Sequence, residues 1–458
     1  MNRRQFISLC GAFGVAAAIN GAGCTTTATA TAARRKPNVV LIVADDLGYG
    51  ELSAQGSKDI LTPNIDSIAK NGVRFTDGYV TCPVCSPTRA GLMTGRYQQR
   101  FGHEFNPGPA GTEAKNVGLP LSETTFPQRM KQLGYATGMV GKWHLGGQDG
   151  FHPMDRGFDE YYGFLGGAHS YVNAGADAKN PILRGREAVK EISYTTDDFA
   201  REACDFINRH KDHPFFLYMP FNAVHAPMDA LENYLAPFAS ISDEKRRKFA
   251  AMLSALDAGV GSILGALNAN GLTGDTLVIF ISDNGGPTAQ ISSKNDPLRG
   301  FKGQVLEGGI RVPYMMQWPG QIPAGVTYSQ PVNSLDILPT AIAAAGGTLD
   351  ASAKCEGVSL LPYLNGKASG APHDALYWRQ GENMAIRKGD FKLVKQAEEP
   401  LALYSLTRDI HEDKNLAAEM PEVVKELQAD WDAWNARNVA PLWDRTQRPR
   451  QRQRAVTG

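Results

Sequence analysis

The run 85–89 has the sequence Cys-Ser-Pro-Thr-Arg, which places a thiol and a guanidinium one helical turn apart. Proline favours the first turn of a helix, so the pattern predicts a helix with Pro87 at its first position that ends at Gly95. Cys85 would then lie beside free backbone N–H groups at the positive end of the helix dipole, a position that suits an anion such as sulfate or phosphate. A buried or disulfide-bonded cysteine beside an ordinary helix start fits the same residues.

Oxygen-bearing side chains follow two of the apolar runs of the chain. Asp45 and Asp46 come directly after the first run, and Asp283 and Asn284 come directly after a later one. Four hard oxygen ligands without neighbouring pairs of cysteine or histidine suit Ca²⁺ or Mg²⁺ rather than Zn²⁺. Each pair taken alone also fits a solvated turn. Their occurrence at two strand ends, in a chain that also contains Cys85, favours a metal site.

Cationic and proton-transferring side chains occur in similar positions. Arg89, Lys142 and Lys302 could neutralise a doubly charged transition state, and His144 and His225 could move protons. Lys142 and His144 are two residues apart on a segment predicted to be extended, so both should face the same side. The alternative for each lysine or histidine is a solvated loop residue.

The elements that must position these groups are buried strands. Apolar runs rich in β-branched and aromatic residues cover 38–44, 136–141, 215–220 and 276–282. Helical stretches separate them, at 63–71, 125–133, 197–209 and 243–269. This alternation predicts an α/β fold with a large, mostly parallel central sheet flanked by helices on both faces. Ligands bind at the carboxyl ends of the strands in such sheets, where the candidate residues accumulate.

The pattern of apolar residues changes beyond about residue 347. Short runs that predict antiparallel strands lie at 376–379, 384–387, 391–394 and 401–406, and an amphipathic helix is predicted over 422–437. The predicted organisation is therefore a catalytic domain over 37–347, a smaller C-terminal α+β subdomain over 348–445 and a basic, disordered tail over 446–458.

The N-terminus has the features of an export signal over 1–24. Arg3 and Arg4 precede Phe6 and an apolar stretch too short for a secure membrane span, a pattern typical of twin-arginine export. Small residues before Cys24 match a bacterial lipoprotein cleavage site; an uncleaved leader with a chance cysteine is the alternative. Residues 25–36 predict a flexible tether. We expect an exported periplasmic or cell-surface protein whose membrane contact, if any, is a lipid anchor at Cys24.

Composition excludes few classes of protein. The 458 residues include 47 basic and 47 acidic side chains, so net charge indicates neither nucleic acid nor an anionic membrane as a partner. A hydrophobic content of 42% and a charged content of 21% are typical of a soluble globular protein. Cys82 and Cys85 have the spacing of a redox pair but lack the short βαβ context of one.

Several motifs resemble those of type I sulfatases of the alkaline-phosphatase superfamily. The runs 85–97 and 134–146 resemble the two family signatures, and further matches occur in the family order at 158–163, 283–285, 307–313 and 403–416. The resemblance spans 36–416 and departs from the family at no catalytic position. It implies the alkaline-phosphatase-like fold and a sulfuric ester hydrolase that removes sulfate from a sulfated carbohydrate.

The resemblance also implies a modified residue and a metal. Cys85 would be oxidised to formylglycine (3-oxoalanine) by a formylglycine-generating or an anaerobic sulfatase-maturating enzyme. One Ca²⁺ would be held by the modified residue together with Asp45, Asp46, Asp283 and Asn284.

Roles for the remaining polar residues follow from the same resemblance. One hydroxyl of the aldehyde hydrate, held by Ca²⁺ and Arg89, would attack the sulfate sulfur. Lys142 and Lys302 would stabilise the developing charge, and His225 would protonate the departing alcohol. His144 would deprotonate the second hydroxyl and so release sulfate.

Two other functions fit these motifs, and the motifs do not identify the residues that contact the substrate. A phosphonate monoester or phosphodiester hydrolase shares the fold, and a non-catalytic binder of sulfated glycans could retain the pocket. Loop residues that could contact a substrate, each of which also fits a purely structural loop position, are His103, His169 and Arg299, followed by Glu104, Asn106 and Lys294.

Overall fold

A computed structural model describes residues 35–108 and 117–443. The leader predicted over 1–24, nearly all of the predicted tether and the predicted basic tail lie outside these residues. The described strands are β1 (Asn38–Ala44), β2 (Val73–Phe75), β3 (Gly78–Tyr79), β4 (Ala136–Lys142), β5 (Glu160–Phe164), β6 (Leu183–Arg184), β7 (Glu187–Ala188), β8 (Phe215–Pro220), β9 (Thr276–Ser282), β10 (Tyr314–Gln317), β11 (Val326–Tyr328), β12 (Val332–Asn333), β13 (Ala375–Gln380), β14 (Asn383–Lys388), β15 (Phe391–Lys395) and β16 (Ala402–Ser405).

Helices follow most of the strands, and short 3₁₀ turns lie between them. The described α-helices are α1 (Pro63–Lys70), α2 (Cys85–Thr94), α3 (Phe126–Gln132), α4 (Thr195–His210), α5 (Glu232–Leu235), α6 (Glu244–Ala269), α7 (Thr288–Ile291), α8 (Glu307–Ile310), α9 (Ile337–Ala344), α10 (Leu361–Leu364) and α11 (Pro421–Asn435). The four strands and four helices predicted for the first domain are therefore present, each within two residues of its predicted bounds.

The central sheet has ten strands in the order β11-β2-β10-β9-β1-β8-β4-β5-β6-β7. Its middle five strands, from β9 to β5, are all parallel. Antiparallel pairing occurs outside them, where β10 pairs with β9 and β2, and where β6 pairs with β5 and β7. The predicted parallel sheet is confirmed at its centre, and the edges make the whole sheet mixed.

Strand β1 shows why the apolar runs are continuous. Alternate side chains point to opposite faces of a strand, and Val40 and Ile42 pack in the cluster that contains α1, α4 and α6. Val39 and Leu41 pack in the second cluster, with α2, α3 and α9. Because helices cover both faces, every position of the strand is buried, and all residues after Asn38 are apolar; the amide of Asn38 donates to the hydroxyl of Thr276 on β9.

Among the described residues, α6 is the one helix whose length and composition would allow it to cross a membrane. Phe249, Leu253 and Leu256 are among its fully buried residues, and the helix packs against α1 and α4. Its apolar character is therefore explained by its position in the core of the fold.

Helix α2 begins earlier than the sequence predicts. Val84 is its N-cap residue, with extended backbone, so Cys85 is the first helical residue and Pro87 the third. The prediction of Pro87 at the first position is wrong because no N–H group in the first turn has an acceptor within the helix, and proline is tolerated there. The helix ends as predicted at Gly95, which has a left-handed φ of 67°.

The C-terminal part forms a four-stranded antiparallel sheet in the order β13-β14-β15-β16. Helix α11 packs on it through Leu427 and half-buried Val423 and Trp431. This arrangement confirms the predicted smaller antiparallel sheet with one helix. Trp434 packs between Tyr97 and Tyr377, which joins α11 to the loop after α2.

Candidate active site

The polar residues after β1 and β9 meet at the carboxyl edge of the sheet. The strands are neighbours and pair as far as Ala44 and Ser282, so the residues that follow them lie side by side. The backbone N–H of Asp46 donates to Oδ1 of Asp283 at 3.2 Å, and Nδ2 of Asn284 donates to Oδ1 of Asp46 at 2.7 Å. The structure thus brings the two predicted ligand pairs together.

Two buried oxygens at this edge fit a bound cation. Oδ2 of Asp46 and Oδ1 of Asn284 are inaccessible to water and have no hydrogen-bond partner among the described residues. Unpaired buried oxygens are unfavourable unless a cation or a donor satisfies them. Asp45, Asp46, Cys85 and His225 each offer a ligand atom, and these atoms lie within 4.8 Å of one another. Two of these four atoms are carboxylate oxygens, and the unpaired oxygen of Asn284 adds a third, which suits a hard divalent ion.

Asp45 lies in the most buried part of the site, between two cations. Nζ of Lys142 is 2.5 Å from its Oδ2, and Nη2 of Arg89 is 3.8 Å from the same atom. Burial alone would raise the pKa of Asp45, but Lys142, His225 and Arg89 together hold that pKa below its ordinary value. Arg89 also binds Asp283 through Nε at 3.0 Å and Nη2 at 2.7 Å. The carboxylate of Asp45 is therefore charged.

Lys302 reaches the candidate metal-binding edge from a separate loop. Its Nζ lies 2.6 Å from Oδ1 of Asp46. The loop is anchored because the N–H of Gly303 donates to the carbonyl of Pro83, just before α2. Burial would lower the pKa of Lys302, but Asp46 raises it above its ordinary value, so the ammonium group is charged.

The thiol of Cys85 faces Asp45, with 3.5 Å between Sγ and Oδ1. Burial, assisted by the charge of Asp283, raises the pKa of Cys85 to about 12, so the thiol is protonated at neutral pH. Cys82 is also buried, and both residues are free thiols. The structure therefore contains no Cys82–Cys85 disulfide of the kind that the redox interpretation requires.

His144 occupies the site in a backbone conformation that the sequence does not predict. Its φ is 58°, so the extended segment predicted from Lys142 to His144 is wrong at its last residue. Ser86 explains the turn, because its hydroxyl donates to the carbonyl of His144 at 2.6 Å. Burial and the neighbouring cations, Lys142 first, lower the pKa of His144 well below its ordinary value. The imidazole is neutral and can accept a proton.

His225 and Lys302 line the open side of the site. Their side chains are 17% and 15% exposed, whereas those of Asp45, Arg89 and Lys142 are fully buried. Nε2 of His225 lies 3.6 Å from Oδ2 of Asp46. His225 and Lys302 therefore lie at the accessible end of the site, and Arg89 and Lys142 lie at its buried end.

Three residues of the loop after α2 have partners within the protein. His103 is fully buried, with Nε2 2.6 Å from the hydroxyl of Ser86. Glu104 is buried in an ion pair with Arg379, and Oδ1 of Asn106 accepts from the N–H of Ser86 at 2.9 Å. His103 and Asn106 thus support the start of α2, and substrate contact by any of the three stays a prediction.

The other candidate substrate contacts are also engaged. The ring nitrogens of His169 lie 2.8 and 3.0 Å from the carbonyls of Asn180 and Ser170. Arg299 donates to the carbonyl of Glu412 at 2.7 Å, and Lys294 pairs with a carboxylate on a neighbouring loop. These contacts stabilise the loops around the site, and a role in substrate binding stays a prediction here too.

Sequence reasoning missed residues that hold the two histidines. Besides Ser86, these are Gly167, where a Cβ atom would lie 2.5 Å from Nε2 of His144, and Tyr171, which binds the turn that carries His225. Ser86 could have been found from its position beside Cys85. Gly167 and Tyr171 give no local signal because they act on residues distant in the sequence.

Comparison with known families identifies the protein class. The family model described as Sulfatase matches residues 37–347. The chain belongs to the sulfatase family. A second model, described as N-sulphoglucosamine sulphohydrolase, C-terminal, matches residues 301–436. The C-terminal antiparallel sheet and helix α11 therefore lie inside the region that this second model matches.

Individual relatives agree with the family assignment. This sulfatase is 34% identical to human arylsulfatase A, covering 88% of both chains, and 32% identical to the uncharacterized sulfatase YdeN of Escherichia coli K12, covering 88% and 86%. The crystal structure of Ps i-CgsB in complex with k-i-k-neocarrahexaose shares 37% identity with a TM-score of 0.85, covering 89% of this chain and 95% of that one. The protein is thus a sulfatase enzyme of the alkaline-phosphatase superfamily.

Proposed function

We propose that this sulfatase hydrolyses a sulfate ester of a carbohydrate, with Cys85 converted to formylglycine and one Ca²⁺ held by Asp45, Asp46, Asp283 and Asn284. The observation that carries the proposal is the pair of buried, unpartnered oxygens on Asp46 and Asn284 beside Cys85. When present, the aldehyde hydrate supplies an oxygen nucleophile and Ca²⁺ supplies positive charge.

The charges around the site support an anionic substrate. Three carboxylates and three cations form ion pairs and cancel formally: Asp45, Asp46 and Asp283 with Arg89, Lys142 and Lys302. A divalent ion would leave two positive charges in excess, in a region from which water is largely excluded. Such a surplus complements a sulfate ester that gains a second negative charge in its transition state.

The two histidines suit different proton transfers because of where they lie. His225 lies on the open side, where the alcohol of the substrate departs, and Nε2 would protonate that oxygen. His144 is 8% exposed and close to Lys142, near the position of the nucleophile. A neutral imidazole there can accept a proton from the hydrate as sulfate leaves.

A sulfated carbohydrate is the substrate class that the relatives favour. The structure of Ps i-CgsB contains a neocarrahexaose, and that chain is similar to this one over nearly its whole length. The test is a panel of defined sulfated sugars, with matched phosphonate monoesters and phosphodiesters, incubated with the matured enzyme. We expect sulfate release to exceed hydrolysis of the phosphorus esters. A preference for the phosphonates would support the alternative hydrolase, and tight binding without turnover would support a glycan binder.

Modification of Cys85 can be measured directly. The protein is produced with and without a formylglycine-generating or anaerobic sulfatase-maturating enzyme, and the peptide that contains Cys85 is weighed by mass spectrometry. We expect a lighter peptide, unreactive toward thiol reagents at this position, only in the matured sample. A Cys82–Cys85 disulfide in active protein would contradict the proposal.

We also propose export by the twin-arginine route and lipid attachment at Cys24. Fractionation of cells that produce the full chain tests both steps. Replacing Arg3 and Arg4 by lysine should keep the protein inside the cell. Cys24→Ala should release it from the membrane fraction, and no change would show that Cys24 carries no anchor.

A further inference from the structure

Tyr171, in the loop between β5 and β6, is fully buried against the turn that carries His225. Its hydroxyl lies 2.6 Å from the carbonyl oxygen of Asn222 and 2.8 Å from that of His225. The N–H of His225 donates to the same Asn222 carbonyl at 2.9 Å. The one hydrogen of this hydroxyl is shared between the two carbonyls, so Tyr171 contacts both ends of the turn 222–225.

The middle of this turn is attached to the metal-binding edge. The N–H of Asp45 donates to the carbonyl of Ala223 at 2.9 Å, and the N–H of Val224 donates to the carbonyl of Asp45 at 2.8 Å. These bonds hold residues 223 and 224 but not the backbone of His225. The carbonyl of His225 is held by Tyr171.

The ring of His225 presents one nitrogen to the substrate side. Nδ1 lies 2.5 Å from the carbonyl of Ala226. Because a carbonyl only accepts, Nδ1 carries a hydrogen, and Nε2 is the nitrogen that faces Asp46 at 3.6 Å. The position of Nε2 is set by the backbone of His225 and by this bond to the next residue, so it depends on the turn that Tyr171 closes.

We infer that Tyr171 is a positioning residue for His225, an inference that rests on the proposed function. As the S–O bond to the departing group breaks, its electron pair moves to the leaving oxygen. The proton on Nε2 of His225 transfers to that oxygen, which yields the alcohol and a neutral imidazole. Displacement of the turn increases the distance between Nε2 of His225 and the leaving oxygen, and so slows this proton transfer. Departing groups that are strong bases need the proton most, so they are affected most.

The experiment compares Tyr171→Phe with a matched control. Tyr171→Phe keeps the buried ring and removes the hydroxyl. Tyr135→Phe does the same at the amino ends of the parallel strands, far from the site, where the buried hydroxyl of Tyr135 donates to the carbonyl of Pro37 at 2.7 Å. For each matured variant, kcat/KM is measured with 4-nitrophenyl sulfate, phenyl sulfate and a sulfated sugar, in order of poorer departing groups.

We expect Tyr171→Phe to lose about tenfold in kcat/KM on phenyl sulfate and the sugar but to change only about twofold on 4-nitrophenyl sulfate. Tyr135→Phe should change all three substrates by the same factor. In a His225→Gln background, Tyr171→Phe should cause no further selective loss, because the group it positions is absent.

The outcomes separate this inference from the proposed function. An equal loss on all three substrates, or a selective loss that persists without His225, would overturn the positioning role of Tyr171 and leave the sulfatase proposal intact. Failure of the matured wild-type enzyme to release sulfate from any of the three esters would overturn the proposed function, and the inference with it.

Discussion

Nζ of Lys142 lies 2.5 Å from Oδ2 of Asp45, and both side chains are completely buried. A second Lys–Asp pair, between Lys131 and Asp159, has nearly the same length, 2.6 Å, but its side chains are 45% and 40% exposed. The two pairs differ in their surroundings rather than in their geometry. Removing one partner of a buried pair leaves an isolated charge without solvent, whereas an exposed partner is solvated by water.

This difference gives the first prediction. Lys142→Met should lower the free energy of unfolding by about 3–5 kcal/mol, because Asp45 is left buried and less compensated. Lys131→Met, the control, should lower it by less than about 1 kcal/mol. Denaturant unfolding of both variants provides the measurement. Equal losses would show that Asp45 is solvated or protonated in the folded protein.

Cys85→Ala should fold normally and lose nearly all turnover, because the group that becomes the nucleophile is absent. Cys82→Ala is the matched control, since Cys82 is also a buried free thiol but does not face Asp45. It should keep most of the activity. Sulfate release and circular dichroism measure the two properties. Substantial turnover by Cys85→Ala would mean that another residue is the nucleophile.

Asp283→Ala should lose Ca²⁺ affinity and activity together, because it removes a proposed ligand and the partner of Arg89. Asp257→Ala removes another buried carboxylate, which accepts from the N–H groups of Asn64 and Ile65 at the start of α1. This control should reduce stability and retain Ca²⁺ binding. Calorimetric titration with Ca²⁺ distinguishes the two variants. Unchanged binding by Asp283→Ala would exclude the proposed ligand set.

A pH effect is expected where His373 meets Asp336, with Nε2 2.8 Å from Oδ1. Burial would lower the pKa of His373, but the charge and hydrogen bond of Asp336 raise it above the ordinary value of 6.5. The stabilisation is complete below pH 6.5 and is lost as pH rises through the folded pKa. We expect the free energy of unfolding to fall between about pH 6 and pH 9, and His373→Gln to reduce this slope. An unchanged slope would contradict the ion pair.

Much of the fold could be predicted because its signals are local. A strand such as β1, covered on both faces, is apolar throughout its length from Val39 to Ala44. A helix such as α6 carries its own capping residue, Asp243, whose side chain accepts from the N–H of Arg246. Edge strands were harder to predict. The strands β6 and β7 have two residues each and are defined only by their hydrogen bonds to neighbouring strands. Segments this short show no hydrophobic periodicity by which they could be predicted.

The set of polar residues at the candidate site was also predictable, because strand ends of a parallel sheet converge at one edge. How these residues are held was not predictable. The left-handed backbone of His144 depends on the hydroxyl of Ser86, 58 residues away in the chain. His103, a candidate for substrate contact, lies behind that hydroxyl with Trp443 packed on its ring.

The sequence by itself therefore determined the family, the presence of polar residues at the carboxyl ends of the parallel strands and the identity of the charged groups around Cys85. Residue type and local spacing contain that information. Only the tertiary structure decided which oxygens are left unpaired, which histidine faces solvent and that Tyr171 closes the turn of His225. Each of these depends on contacts between segments far apart in the chain, and such contacts leave no periodic pattern in either segment.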